Sequence, residues 1–157
     1  MDKLDVQILN ELRENARQTA SEISKNIHLS VSTVIERIRK MEKSGVIRQY
    51  TVITGDSNLG NDISVLMEIA IEHPKYIDSF IEAVSGNPNI IACYYLTGEF
   101  DFMLKICCRS SEELEQIHKA IKDLEGVRFT KTHYVLRTVK NTHSSMVSPD
   151  SDILGKL

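Results

Sequence analysis

The chain has 157 residues, 41% hydrophobic and 26% charged, with a formal net charge of −3. That length and apolar content allow packed cores in one domain or two small ones, and no apolar run is long enough to span a bilayer. Three cysteines, Cys93, Cys107 and Cys108, show no CxxC spacing and no histidine at ligand distance, which argues against a disulfide scaffold and a metal site and points to a reducing cytoplasm.

An acidic total would ordinarily argue against a nucleic-acid partner, so the distribution of charge decides more than its sum. Residues 1–50 carry nine Lys+Arg against seven Asp+Glu, and the remainder carry ten against fifteen. The cations are concentrated at the front. So small an excess per copy implies that phosphate attraction is built from several copies acting together.

Asp2 is placed to cap a helix from Lys3 to about Asn15, with Leu4, Ile8, Leu9 and Leu12 as its apolar stripe. Thr19 and Glu22 form a Thr-x-x-Glu capping pattern that starts a second helix near Ala20. Ile23, Ile27 and Leu29 then anchor a tight corner at His28-Leu29-Ser30. Ser30 caps a third helix running to about Ser44 and closed by Gly45. On that helix Val34, Ile38 and Met41 face a core, leaving Ser32, Thr33, Glu36, Arg37, Arg39 and Lys40 outward. Hydroxyls near the helix start suit base edges or phosphates, and arginine can grip a guanine edge or a phosphate through two donors. We therefore expect Ser30, Ser32, Thr33, Glu36, Arg37, Arg39 and Lys40 to contact double-stranded DNA.

Residues 46–53 are β-branched and aromatic and read as an extended hinge, followed by a Gly/Asn/Asp-rich loop from Thr54 to Asp62. Beyond it the hydrophobic period alternates. Strand spacing from Ile63 to Glu72 gives way to helical spacing after Pro74. Two strands follow, at Ile90–Thr97 and Phe100–Cys108, joined through Gly98-Glu99; then come a helix capped at Ser110 or Ser111 and a last strand over Val127–Val139. The order β-α-β-β-α-β is that of a ferredoxin-like domain, with two helices on one face of a four-stranded antiparallel sheet. Tyr94, Leu96 and Met103 would lie bare on the other face, and pairing two copies covers them. The expected division is 1–50 helix-turn-helix, 51–62 hinge strand and linker, 63–140 ferredoxin-like, and 141–157 a flexible tail. His28, His73, His118, His133 and His143 stand without catalytic or metal spacing.

Three stretches, LDVQILNELRENAR, SEISKNIHLSVSTVIERIRKMEKSGVI and TGEFDFMLKI, resemble the leucine-responsive and asparagine-responsive (Lrp/AsnC) transcription regulators, and the resemblance runs from about Leu4 to Lys140. It implies an α+β chain: a winged-type helix-turn-helix domain followed by an ACT-like ferredoxin domain. The implied function is sequence-specific regulation of amino-acid metabolism genes, on a palindromic operator, by a dimer that commonly assembles to an octamer, without a cofactor.

In the hairpin loop, chemistry alone leaves Asp101 either to bond its own turn or to meet a ligand's ammonium group. The resemblance implies a small amino-acid pocket between neighbouring dimers, formed by Gly98, Glu99, Phe100 and Asp101 with Tyr134, Val135 and Leu136 of the last strand. Two alternatives are a nucleoid-organising protein without effector and a sirohaem-decarboxylase-like enzyme. The latter would need a tetrapyrrole pocket with His and Arg, where this chain carries the Gly-Glu-Phe-Asp loop.

Overall fold

Asp2 and Thr19 determine where the first two helices begin. In a computed structural model describing residues 1–142, α1 spans Lys3–Glu14, and the Asp2 carboxylate accepts from the amides of Leu4 and Asp5 while Asp5 accepts from Asp2. Helix α2 spans Ala20–Asn26, where Thr19 and Glu22 make the same reciprocal exchange, and α3 spans Val31–Lys43. Each box satisfies amides that a helix start otherwise leaves orphaned. Ile8, Ile23, Val34 and Met41 form the buried core of these three helices, with Leu9, Leu12, Ile27, Leu29 and Ile38 packed around it.

This unit, Met1–Val52, is compact in itself, and Ile53–Asn141 forms a second. No strand forms between residues 44 and 53, which run as turn, bend and irregular chain. A short 3-10 turn at Asp56–Leu59 precedes the sheet.

The second unit contains β1 (Ile63–Ile71), α4 (Ile77–Ser85), β2 (Ile90–Tyr95), β3 (Phe102–Cys108), α5 (Ser111–Lys122) and β4 (Val127–Tyr134). The strands pair antiparallel in the order β2-β3-β1-β4. Val65, Met67 and Ile69 of β1 register with Ile106, Leu104 and Phe102 of β3, and all six are buried. Phe80 and Val84 of α4 and Ile117 and Ile121 of α5 close that core. The alternation of strand side chains sends Leu66, Glu68, Met103 and Tyr94 to the opposite face. Tyr94 there is 57% exposed.

All four strands are shorter than their sequence patterns, β1 by a single residue. The hairpin loop takes Leu96 to Asp101, because the Leu96 amide donates to the Asp101 carbonyl and the Asp101 amide turns away to Ile69 of β1. β4 ends at Tyr134 because its partner runs out: Tyr134 registers with Val65, and the Val135 amide makes one further bond to Ser64, next to the first residue of β1. The expectation of a flexible tail at 141–157, and His143 within it, falls from residue 143 onward outside the described residues.

Candidate nucleic-acid interface and effector loop

The corner between α2 and α3 is held by three features. His28 adopts the left-handed conformation at φ 56°, the Leu29 amide donates to the Ser24 carbonyl at 3.0 Å, and Leu29 packs against the helical core. This is the closing motif that usually takes glycine at the left-handed position. It directs the chain straight into the α3 cap, where Ser30 Oγ accepts from the Thr33 amide at 3.1 Å. The hydroxyls of Thr33 and Ser32 lie 2.7 and 3.0 Å from Ser30 Oγ. The three hydroxyls at the helix start therefore partly satisfy one another.

Of the expected DNA contacts, Ser32, Glu36, Arg39 and Lys40 are solvent-exposed along α3, Ser30 is exposed at its start, and Thr33 is half-buried. Arg37 is half-buried, and one of its guanidinium nitrogens donates at 2.7 Å to both Asp2 Oδ2 and Asp5 Oδ1. To reach a phosphate this guanidinium would have to give up two charge-assisted hydrogen bonds. The backbone amides of the Asp2–Asp5 box, then Arg37, hold both carboxyls below the usual carboxylate range, and the two acids raise Arg37 in return.

Sequence spacing could not reveal that pair, whose members lie 32 and 35 residues apart. Nor did periodicity single out Val31 and Ile35, which remain 41% and 37% exposed on α3.

In the second unit the loop Gly98–Asp101 sits against β1. Gly98 has φ +131°, a conformation that disfavours any side chain. Asp101 Oδ2 accepts from the Ile71 amide at 2.6 Å, so this carboxylate closes the turn against the neighbouring strand. Gly98 and Glu99 are exposed, and Phe100 packs on Phe129 with ring centres 6.0 Å apart. Tyr134, Val135 and Leu136 lie elsewhere, beside Val65 and Ser64. Ile69, which binds the loop, is four residues along β1 from Val65, about 13 Å at strand rise. Within one copy the two halves of the expected pocket are at opposite ends of the sheet.

A polar cleft at the end nearer Tyr134 is braced internally. The Asn89 amide group donates to the Cys107 carbonyl at 3.0 Å and to Glu113 Oε1 at 3.2 Å, and the Arg109 backbone amide donates to Glu113 Oε2 at 2.7 Å. Cys107 and Cys108 are buried strand residues, and burial pushes the Cys108 thiol up, away from reactivity. No group of acids, histidines and cysteines that could hold a metal ion occurs among the described residues, and no helix there is long and apolar enough to cross a membrane.

A capped helix on a fixed corner, carrying cations to solvent, joined to a separate sheet domain with a glycine-acid loop, defines a DNA-binding regulator with its own ligand-binding domain. Comparison with known proteins gives the same two parts. Residues 1–48 match the winged helix-turn-helix DNA-binding family, and residues 64–145 match the Lrp/AsnC ligand binding domain. The transcriptional regulator LrpC of Bacillus subtilis is 31% identical over 88% of this chain and 94% of its own. The leucine-responsive regulatory protein of Haemophilus influenzae is 30% identical over 91% of this chain and 88% of its own. Among solved structures, a transcriptional regulator of Neisseria meningitidis in complex with L-Met superposes with a TM-score of 0.88 at 26% identity, covering 92% of this chain and 96% of that one. The chain belongs to the Lrp/AsnC family of helix-turn-helix transcriptional regulators.

Proposed function

We propose that this regulator reads a palindromic operator as a two-fold dimer and is tuned by a small amino acid, controlling genes of amino-acid metabolism. The observation that carries the DNA reading is α3: capped at Ser30, buried through Val34 and Met41, and presenting Ser32, Glu36, Arg39 and Lys40 to solvent. Ser30 and Thr33 position that helix start and contact the backbone; Arg37 supports the helix from behind. The chain acts by binding, without catalysis or cofactor, in the cytoplasm and on the nucleoid.

The effector reading rests on the glycine-acid loop and on the L-Met bound by the Neisseria relative. Because Gly98–Asp101 and Tyr134–Leu136 stand at opposite ends of one sheet, the pocket is shared between copies, the loop of one meeting the strand end of another. Glu99, exposed at the loop tip, supplies the free carboxylate for an α-ammonium group, while Asp101 holds the loop in shape. A pocket shared between dimers couples ligand binding to assembly up to the octamer, and the coupling is reciprocal: an effector that tightens DNA binding is itself tightened by DNA to the same factor.

The test is binding to a duplex from upstream of the protein's own gene, titrated with each of the twenty amino acids at fixed salt. A footprinted complex changed in affinity by one or a few amino acids is the expected result. A complex indifferent to all twenty overturns the effector reading and favours a DNA organiser.

A further inference from the structure

The outward surface of α3 has two unlike flanks. At 100° of rotation per residue, Val31, Ile35, Arg39 and Ser32 fall within an arc of about 100°. Arg37 lies on the other side, where a cleft lined by Asp2, Asp5 and Glu36 sets three carboxylates against the cations of Arg37 and Lys40. There Arg37 and both aspartates are already engaged with one another. On the first flank Arg39 and Lys43 are exposed; of the two acids nearby, Glu42 accepts a hydrogen bond from the Tyr50 hydroxyl at 3.0 Å and Glu36 borders the cleft. Arg39 and Lys43 thus offer exposed cations to phosphates beside Val31 and Ile35, whereas Arg37 is engaged with Asp2 and Asp5.

Single exposed hydrophobics need no explanation, but these two stack at i and i+4 in the first half of the helix, the part of a recognition helix that meets base edges. The hydroxyls of Ser30, Ser32 and Thr33 beside them are partly occupied with one another. The one apolar feature of the major groove is the 5-methyl group of thymine.

Resting on the DNA-reading function above, we infer that Val31 and Ile35 are specificity determinants that pack against thymine methyl groups. Their Cα atoms are about 6 Å apart along the helix, so each half-site carries thymines within about two base steps of each other. Arg39 fixes the register from the same flank.

The experiment uses the full-length protein and a duplex selected with it from a randomised library at fixed salt. Each thymine is replaced in turn by deoxyuridine, which removes the methyl group and keeps the hydrogen-bonding edge. Affinity is expected to fall about fourfold at one or two neighbouring positions per half-site, the scale of one buried methyl group. Ile35→Ala and Val31→Ala are expected to abolish that penalty, each at its own position, with the dependence on salt and the oligomeric state without DNA unchanged. Indifference to uracil at every position, with the selected duplex still preferred over a scrambled one, overturns the methyl contact and leaves the reading head standing. No preference over the scrambled duplex overturns both. A change of oligomeric state in the two variants assigns the pair to a second copy of the chain instead and also overturns the proposal.

Discussion

The Arg37 guanidinium lies 2.7 Å from Asp5 Oδ1, and this contact ties the middle of the third helix to the start of the first. Asp2 takes the same nitrogen, also at 2.7 Å, so one cation closes a capping box made of two acids. Both carboxyls are held below their ordinary values, chiefly by each other's backbone amides and then by Arg37. A group whose folded pKa is depressed contributes stability that is present above its unfolded value, about 3.9, and is lost as pH falls through the lower folded value. The helical unit should therefore lose stability below about pH 4. Arg37→Ala should move that acid transition to higher pH. Circular dichroism melts between pH 7 and pH 3 would register it, and an unmoved transition would contradict the pairing.

The same contact separates Arg37 from Arg39 in DNA binding. Arg39 is exposed and has no carboxylate partner among the described residues, whereas Arg37 pairs with two. At pH 7 and a temperature where both variants stay folded, Arg39→Ala should weaken operator binding about tenfold or more, on the scale of a lost bidentate contact. Arg37→Ala should cost less than Arg39→Ala. Quantitative gel shifts at one salt concentration distinguish the two, and the reverse ranking would return Arg37 to the reading face.

Asp101 joins the hairpin loop to β1 through its carboxylate, at 2.6 Å from the Ile71 amide, and through its own amide to the Ile69 carbonyl. Asp101→Ala removes the carboxylate and strands the Ile71 amide, at about 1.5–3 kcal/mol for a hydrogen bond to a charged group. Asp101→Asn keeps an acceptor and should recover part of that loss. Urea titrations of the three proteins give the ranking directly. If Asp101→Ala were fully stable yet unable to respond to any amino acid, the residue would be a ligand contact and not a structural one.

Gly126, between α5 and β4, has φ +85°, and a Cβ built there would lie 2.2 Å from the ring of Tyr76. Its carbonyl also accepts from the Glu72 amide at 2.8 Å, so the backbone has little room to retreat. Gly126→Ala should destabilise the sheet domain by about 3 kcal/mol, combining the left-handed backbone with the clash. Adding Tyr76→Gly removes the clashing Cβ and ring together, so the double variant should be more stable than the sum of the two single losses. Additive losses in denaturant titrations would exclude the contact.

The local parts of this architecture were legible in the sequence because their causes are local. Thr19 and Glu22 stand three residues apart and find each other in the helix they start. The β-α-β-β-α-β order followed from periods of two and 3.6, since the buried stripe of each element lies within that element. The Arg37 ion pairs were not legible, because the angle of a side chain on a helical wheel says which sector it occupies, not what distant group waits there. Asp101 left two readings open for the same reason: Ile71, its partner, is 30 residues away. Strand ends depend on partners too, and β4 stops where β1 begins.

On the sheet face turned away from the helices, Tyr94 and Phe129 are each more than half exposed. Glu68 lies among them, with His133 Nε2 at 3.1 Å and Lys131 Nζ at 3.9 Å from its Oε2, so this face supplies partners for its own acid. Covering it with a second copy would bury aromatic surface without leaving that charge unpaired, which favours self-association through this face. A new carboxylate in the aromatic patch adds a charge that a second copy would have to desolvate. Tyr94→Glu should therefore weaken self-association tenfold or more while leaving the helical content unchanged. Gln116→Glu, on the exposed side of α5 across the sheet, adds the same charge and should have little effect. Sedimentation equilibrium over a concentration series measures both. Dissociation by Gln116→Glu and not by Tyr94→Glu would place the interface on the helices, and the open sheet face would then need a different occupant.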